Sequence, residues 1–427
     1  MSKRYARKKE PNVKPVKKIE LSEKHFHIRL IAVILLIALA AGAFVYGIYS
    51  YFNVDAGWTE ITAESSSDIN CGDDFVFLYN LGAGKNSAKS DLNEATEIYT
   101  NAVVKAYRLF NTNEGFDNVK NIYYINNHPN EIIQIDSMLY NAFAMLNAYD
   151  NRYIFLAPLF EQYENMYYCT EDSETAGYDP VQNEDIRKYF DGILAFANSN
   201  NDIDIELLGE NKIRLKVSEA YLSYARESVT DRFIDFYWMK NAFIVDYIGD
   251  LLEDDGLTYG SISSYDGFVR NLDDSGESYT FNIFDRVGNI VYGAASFKYS
   301  HRNSIVYLRD FAMNRRDVSH YYEFLSGELR NPYISMSDGL CRASIENLTA
   351  YGETEGCAEI LLKMESLYIA DEFDENTLLK MADDNINFIY CIDSNVCYTE
   401  EAAVITDLFE GENGQVKYTA EYKKKMY

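Results

Sequence analysis

The sequence predicts an α+β fold, a single domain of mixed helices and antiparallel strands behind one N-terminal transmembrane helix. Three observations lead there. Residues 30–52, LIAVILLIALAAGAFVYGIYSYF, contain no charged side chain. Beyond residue 75, apolar residues recur at helical spacing in some segments and alternate or run together in others, as strands do. Residues 75–427 show no internal repeat, no low-complexity tract and no convincing linker, so one large domain is expected from them.

At about 1.5 Å per residue the uncharged run spans roughly 35 Å, enough for a bilayer core with some tilt. Tyr46, Tyr49 and Tyr51 gather at its far end as interfacial aromatics do. Ten Lys/Arg against three acids precede it in residues 1–29, which places the N-terminus in the cytoplasm. The expected layout is a basic cytoplasmic head (1–29), a transmembrane helix (30–52), a polar juxtamembrane linker (53–74) and an extracytoplasmic domain (75–427), a single-pass protein of the cell membrane. A cleaved signal peptide is the rival, because Ala38-Leu39-Ala40 and Ala41-Gly42-Ala43 resemble cleavage sites. The long head and the continuation of the apolar run past both sites favour an uncleaved anchor.

The whole chain carries −28 at neutral pH, and the part after the head about −35. Such a surface repels phosphate backbones, so nucleic acid is excluded as a partner of the ectodomain. Cys391 and Cys397 flank IDSNV and are expected to pair across a hairpin turn; free thiols are expected at Cys71, Cys169, Cys341 and Cys357.

In chain order, FVFLYNLG (75–82) reads as a buried strand, 90–111 as a helix and NIYYINNH (121–128) as a strand. Residues 131–151, 157–169 and 183–200 read as helices, and 202–209 with 212–218 as a hairpin around Gly-Glu-Asn. Residues 234–256, IDFYWMKNAFIVDYIGDLLEDDG, read as one amphipathic helix ending at Gly256. Its Asp246, Asp250 and Asp254 form a row that is expected to be a solvated face rather than a cation site. Strand-like runs follow at 260–265, 278–285, 289–300 and 303–312, then helices over 355–364 and 375–382 and a strand over 388–393.

The opening of the 234–256 segment crowds Phe236, Tyr237, Trp238 and Met239 into one turn. This segment and the element order over residues 72–405 resemble the ApbE-like flavin transferase family, the FAD:protein FMN transferases. Members carry a helix opening similar to I-D-L-G-G-I-A-K-G-Y-A-V-D. Here Ile234, Asp235, Val245 and Asp246 match, with Phe243 for the aromatic. Tyr237 and Trp238 stand where two glycines are expected, Asn241 where the lysine is, and Ala242 where the third glycine is. Tyr265-Asp266-Gly267 is similar to the family's Gly-Gly-Asn/Asp turn, and Asn314-Arg315-Arg316-Asp317 to its Thr-Ser-Gly-Asp stretch. Residues 332–339, PYISMSDG, align with a string resembling H-I-I-D-P-R-T-G, with Pro332 at the histidine. The family's metal helix aligns with GCAEILLKM, putting its aspartate and threonine on Cys357 and Leu361, or on Ala358 and Leu362.

Neither register supplies the two oxygen ligands that a hard cation requires. Outside the resemblance no phosphate-cradling glycine motif, no G-x-S-x-G and no histidine pair at metal spacing is present. Arg315-Arg316 could hold a phosphate or a carboxylate, a surface ion pair being the commoner outcome. The expectation is therefore a fold-retaining, catalytically degenerate binding or scaffolding module with no catalytic residue, metal ligand or cofactor. If a nucleotide pocket persists, Asp235, Asn241, Asp266 and Asp338 are its candidate contacts. The alternative is an active transferase using FAD and Mg²⁺ to attach FMN to a Thr or Ser of an exported or membrane redox protein, with substitute ligands from Asp235, Asp266, Asp317 or Asp338. A surface structural protein with an accidental resemblance is the third reading.

Overall fold

The computed structural model describes residues 31–32, 34–37, 39–44, 54–64, 72–382, 385–411 and 416–425. The chain divides into two units, Met1–Val54 and Asp55–Tyr427. In the first, the described residues from 31 to 44 are helical. The expected span Leu30–Phe52 extends outside the described residues, and among the described ones no helix is long and apolar enough to cross a membrane.

The second unit begins inside the stretch expected to be a linker. Gly57–Ile61 is strand β1, antiparallel to β2 (Phe75–Leu81), with Trp58 opposite Asn80 and Ile61 opposite Phe77. Its polar residues mislead because an edge strand needs only one apolar face. Helix α1 (Ala88–Phe110) follows, capped by Ser87, whose Oγ accepts from the Ser90 N–H.

NIYYINNH is a short helix, α2 (Ile122–Asn126), not the expected strand, because the Asn121 side chain caps it by accepting from the Tyr124 N–H. The single helix expected over 131–151 is split: Ile132–Gln134 is strand β3, and Asp136 accepts the Met138 N–H to start α3 (Ser137–Ala148). Helices α4 (Ala157–Tyr167), α5 (Asp172–Thr175) and α6 (Glu184–Ala197) lead to the hairpin β4 (Ile203–Gly209) and β5 (Lys212–Val217), then α7 (Glu219–Ser228). β3 pairs with β5, giving a small sheet in the order β3-β5-β4.

A 3₁₀ turn, Tyr237–Met239, precedes α8 (Lys240–Asp254). The remainder supplies β6 (Gly260–Ser264), β7 (Phe268–Asn271), β8 (Tyr279–Val287), β9 (Ile290–Tyr299), β10 (Asn303–Arg309), β11 (Tyr322–Glu323), β12 (Leu329–Arg330) and β13 (Asn347–Gly352). After them come α9 (Cys357–Tyr368), α10 (Glu375–Met381), β14 (Asn387–Ile392), β15 (Asn395–Tyr398), β16 (Val404–Thr406) and β17 (Thr419–Tyr422).

The main sheet runs β1-β2-β6-β7-β10-β13-β14-β15-β17, so its strands follow chain order across it. Every neighbouring pair is antiparallel except β15 and β17, which are parallel. β10 and β13 are buried along their whole length, and with them Asn303, Ser304, Arg309, Asn347 and Thr349 are polar or charged residues in the interior. Helices α8 and α9 pack on this sheet, while Ile283, Ala295 and Phe297 of the β8-β9 hairpin pack with Ile305, Tyr351 and Ile389.

Cys391 and Cys397 do not pair; both are buried free thiols. The register puts Cys391 opposite Val396 and Cys397 opposite Tyr390. An offset of one residue sends the two side chains to opposite faces of the sheet. The hairpin itself is present; its register forbids the bond.

The row of aspartates on α8 is only partly a solvated face. Asp250 is exposed, but the Asp246 carboxylate is largely buried and accepts the N–H groups of Cys357 and Ala358 at the start of α9, each at 2.8 Å. Gly356 is required there, since a Cβ would lie 2.5 Å from Asp246 Oδ2. Arg270 of β7 completes the junction: Nη1 donates to the Asp246 carbonyl at 3.1 Å, and Nη2 reaches Asp250 and Glu253 at 2.8 and 2.9 Å. Replacing Asp246 by Ala leaves two buried N–H groups without acceptors and is expected to cost about 3 kcal/mol. Asp246→Asn, which retains an acceptor oxygen, should cost less, about 1 kcal/mol. Urea unfolding midpoints of both variants measure this, and an Ala variant as stable as the parent would remove the cap from the account.

Candidate functional site

Asn126 of α2 sets the geometry of the segment that the sequence singled out. Buried among helices, its Oδ1 accepts from Phe233 and Ile234 N–H at 3.0 and 2.9 Å, and its Nδ2 donates to the Ile234 carbonyl at 3.0 Å. An amide that satisfies three backbone groups holds residues 233–234 out of helical conformation. The helix expected from Ile234 therefore starts later, with the turn at Tyr237 and α8 from Lys240.

Asp235 comes next, its N–H bonded to the Ile154 carbonyl and its Oδ1 accepting the Tyr237 N–H at 2.8 Å. That local bond closes a turn in which Tyr237 has φ of +48°, the left-handed region that favours glycine. The backbone thus keeps a glycine-like conformation at the position where the resembling family carries glycine, while the side chain is one of the largest. Tyr237 is 5% exposed and its ring stacks on Phe160 with centroids 4.7 Å apart. Phe236 packs edge-on to Phe110 at 5.0 Å and to Phe243 at 5.3 Å. Trp238 donates from Nε1 to the Tyr153 hydroxyl at 3.2 Å and meets Tyr333 edge-on at 4.9 Å. The same Tyr153 hydroxyl accepts the Ile334 N–H and donates to the Pro332 carbonyl, tying the aromatic turn to the 332–339 loop.

Of these residues, Phe110, Asp235, Tyr237 and Trp238 line a cavity of about 320 Å³. Asp235, Asn241, Asp266 and Asp317 all line it, from three separate stretches of chain. Asp338 does not: its carboxylate pairs with Arg342, its carbonyl accepts from Arg187 at 2.7 Å, and the adjoining Gly339 packs against Leu159 and Phe190. Sequence reading missed Asn126, Asp74, Glu164, Arg232, Lys240 and His320. No local pattern marks them, because they converge from distant elements.

The charges on the wall are arranged unequally. Arg232 reaches Glu164 at 3.1 Å and Asp235 at 3.4 Å, and Arg309 holds Asp317 at 2.9 Å. Asp317 also accepts from the Met313 and Asn314 N–H groups, so it anchors its own loop. Arg316 lies over the Tyr265 ring at 3.9 Å and donates to the Asp73 carbonyl, a cation–π contact in place of the surface ion pair expected of it. Asp266 accepts from Asn241 Nδ2 at 2.8 Å, and burial lifts its carboxyl to about 6 although Ser264 and Asn241 pull it down. Burial, with Lys240 adding to it, holds His320 down to about 4, which leaves the ring neutral. In the Tyr265-Asp266-Gly267 turn, Gly267 stands where the resembling family has Asn or Asp; it has φ of +113°, and a Cβ would fall 2.2 Å from the Tyr307 carbonyl oxygen.

The residues present do not fit Mg²⁺ on α9. Cys357, Ala358, Leu361 and Leu362 are all buried there, the Cys357 thiol donating toward the Val269 carbonyl at 3.3 Å, and none offers an oxygen from its side chain. Among the described residues no group of three or more His, Cys, Asp or Glu is placed to hold a metal ion. A flavin dinucleotide fits no better. The cavity is at the small end for ligand sites, about 300–1,000 Å³, and Tyr237 and Trp238 form part of its wall.

A second carboxylate group lies apart from this cavity. Asp285, Asp310 and Glu346 share one arginine, Arg286, which reaches Asp310 at 3.1 Å. Asp285 is held by Asn347 at 2.7 Å and the Tyr418 hydroxyl at 2.9 Å. Burial and then the neighbouring acids raise Glu346 to about 7, and burial raises Asp310 to about 6. Carboxyls raised in the folded state bind protons more tightly there than when unfolded, so their contribution to stability is present at low pH and fades as pH rises through 6 to 7. Stability is expected to fall between about pH 4 and 7 from this group, and Glu346→Gln should flatten that fall in denaturant midpoints. An unchanged slope would count against the shared-charge account.

At Tyr237 two effects oppose. Glycine there relieves strain of about 1 kcal/mol, yet losing a buried aromatic side chain costs about 3–5 kcal/mol. Tyr237→Gly is thus expected to destabilise the protein by about 2–4 kcal/mol in urea unfolding, and a variant more stable than the parent would show that the ring is not a core element.

No family model matches the chain, and no curated protein sequence matches it. Solved structures do. The ApbE protein of Thermotoga maritima superposes with a TM-score of 0.53 at 12% identity, over 82% of this chain and 96% of that one. The flavin transferase ApbE of Vibrio cholerae (TM-score 0.48, 11% identity, 82% and 98% covered) and the Pseudomonas stutzeri flavinyl transferase ApbE (0.47, 12%, 83% and 95%) also match. At such identities it is the architecture that is shared, and the first of these shows that the chain has an ApbE-like fold.

Proposed function

We propose that this protein is a membrane-anchored, extracytoplasmic binding or scaffolding module built on a flavin-transferase-like fold that has lost flavin transfer. The observation that carries the reading is Tyr237. Its backbone has the left-handed φ that a glycine would adopt, and its ring, stacked on Phe160, fills the passage where the resembling family leaves room for the nucleotide. Two further features support it. The N-terminus of α9, where a helix dipole favours an anion, already holds the carboxylate of Asp246. The positions on α9 that would carry metal ligands are apolar or a buried thiol. Without a metal to offset charge on a pyrophosphate, phosphoryl transfer loses its main electrostatic aid.

The anchoring part of the reading rests on the uncharged run Leu30–Phe52 behind a basic head, and the proposed partner is an envelope redox protein or another membrane protein. The protein should neither bind FAD in a titration nor become labelled when incubated with FAD and Mg²⁺. A flavin-acceptor domain in the same mixture should likewise stay unlabelled after denaturation. Covalent flavin fluorescence on that acceptor would overturn the reading in favour of an active FAD:protein FMN transferase.

A further inference from the structure

Helix α1 borders two cavities. Val103, Ala106 and Phe110 face the one described above, while Val104, Lys105 and Arg108 line a second, a groove of about 700 Å³. Its other walls are residues 118–120 and the stretch from Gln134 of β3 to Asp136, the cap of α3. Three cations, Lys105, Arg108 and Lys120, line it against one acid, Asp136, in a chain that carries about −35 after residue 29. Lys105 is already committed, its Nζ reaching Asp136 at 2.9 Å. Arg108 and Lys120 are exposed, and neither forms an ion pair among the described residues. Each lies near an aromatic ring instead: the Arg108 guanidinium is 5.8 Å from the Phe116 centroid, and Lys120 Nζ is 3.5 Å from that of Tyr124. One turn brings the two together, since the Val119 N–H donates to the Phe116 carbonyl at 3.1 Å and Lys120 follows directly. Lys105 and Arg108, three residues apart, share a face of α1. An apolar shoulder adjoins these charges: Ile132, 62% exposed, lies on the same face of β3 as Gln134.

We propose, resting on the reading of the protein as a binding module, that this groove docks an acidic segment of a partner protein. Carboxylates of the segment pair with Arg108 and Lys120, and its apolar side chains cover Ile132, Val104 and Val119. Charge complementarity sets the sign. Lys105 and Asp136 cancel each other, so the charges left open to a partner are both positive. A cationic segment would meet two uncompensated cations and find the one acid already engaged. Exposed ion pairs add little affinity, so the apolar area holds the segment while the cations select it and fix its register. A nucleic acid carries the same sign of charge but is repelled by the remainder of the surface.

The test follows the fluorescence anisotropy of a labelled peptide of glutamate and leucine as the full chain is added at low salt. Peptides with glutamine or lysine in place of the glutamates are run beside it. Saturable binding of the glutamate peptide alone is expected, weakening as salt is added. Arg108→Ala combined with Lys120→Ala should weaken it by about tenfold. Asp136→Asn keeps an oxygen for the Met138 N–H and frees Lys105, so it should strengthen binding several-fold, a gain that misfolding cannot produce. No saturation, equal binding of the glutamine or lysine peptide, unchanged affinity in the double variant, or weaker binding in Asp136→Asn overturns the proposal. Displacement of the peptide by an equal concentration of free glutarate also overturns it, assigning the groove to a small dicarboxylate. FAD titrated into the same sample separates the two readings: FAD binding defeats the loss of the flavin site, whereas failure of the glutamate peptide alone defeats only this inference.

Discussion

The carboxylate of Asp246 at the N-terminus of α9 is the contact on which the rest of the domain depends. It ties α8 to α9 through two backbone N–H groups and, with Arg270, ties both helices to β7 of the main sheet. Burial wins over these favourable partners and lifts the carboxyl to about 6, the sign of a charge held in place by a fixed frame rather than by solvent. The close approach exists only because residue 356 is glycine. With α8 so fixed, the turn that precedes it, and therefore the aromatic wall of the cavity, has one position available.

That turn holds one of the largest side chains in a backbone conformation that favours glycine. Tyr237 pays for a left-handed φ with strain of about 1 kcal/mol, and the burial of its ring against Phe160 more than offsets it. Trp238 extends the fill through Tyr153 to the 332–339 loop, so the space is closed by a connected set of side chains and not by one substitution. At Gly267 both the positive φ and the nearby Tyr307 carbonyl oxygen require glycine. The chain has an ApbE-like fold at 12% identity because the fold depends on burial pattern and helix junctions, which many sequences satisfy.

Around the cavity Arg232 is committed to Glu164 and Asp235 and Arg309 to Asp317, while Arg316 lies over Tyr265, and burial raises the Asp266 carboxyl. The Asp285, Asp310 and Glu346 group, sharing one arginine, adds a second place where burial opposes charge, and it sits in strand ends rather than in the cavity.

By itself the sequence determined the mixed helix and strand character, the approximate extents of the helices Ala88–Phe110, Ala157–Tyr167, Glu184–Ala197 and Glu375–Met381, the hairpin around residues 209–211 and the aromatic block at 236–239, because periodicity and turn residues act over a few neighbours. Where side-chain caps broke the pattern it misled: Asn121 turns NIYYINNH into helix, and Asp136 divides 131–151. Only the tertiary structure decided that Gly57–Ile61 is a sheet edge, that a one-residue register keeps Cys391 from Cys397, and that Asp246 is a buried cap rather than a solvated acid. It also gathered Asp235, Asn241, Asp266 and Asp317 around one cavity and left Asp338 outside. These facts depend on which distant elements meet, and long-range contacts are set by the packing of the whole domain, which no local window of sequence contains.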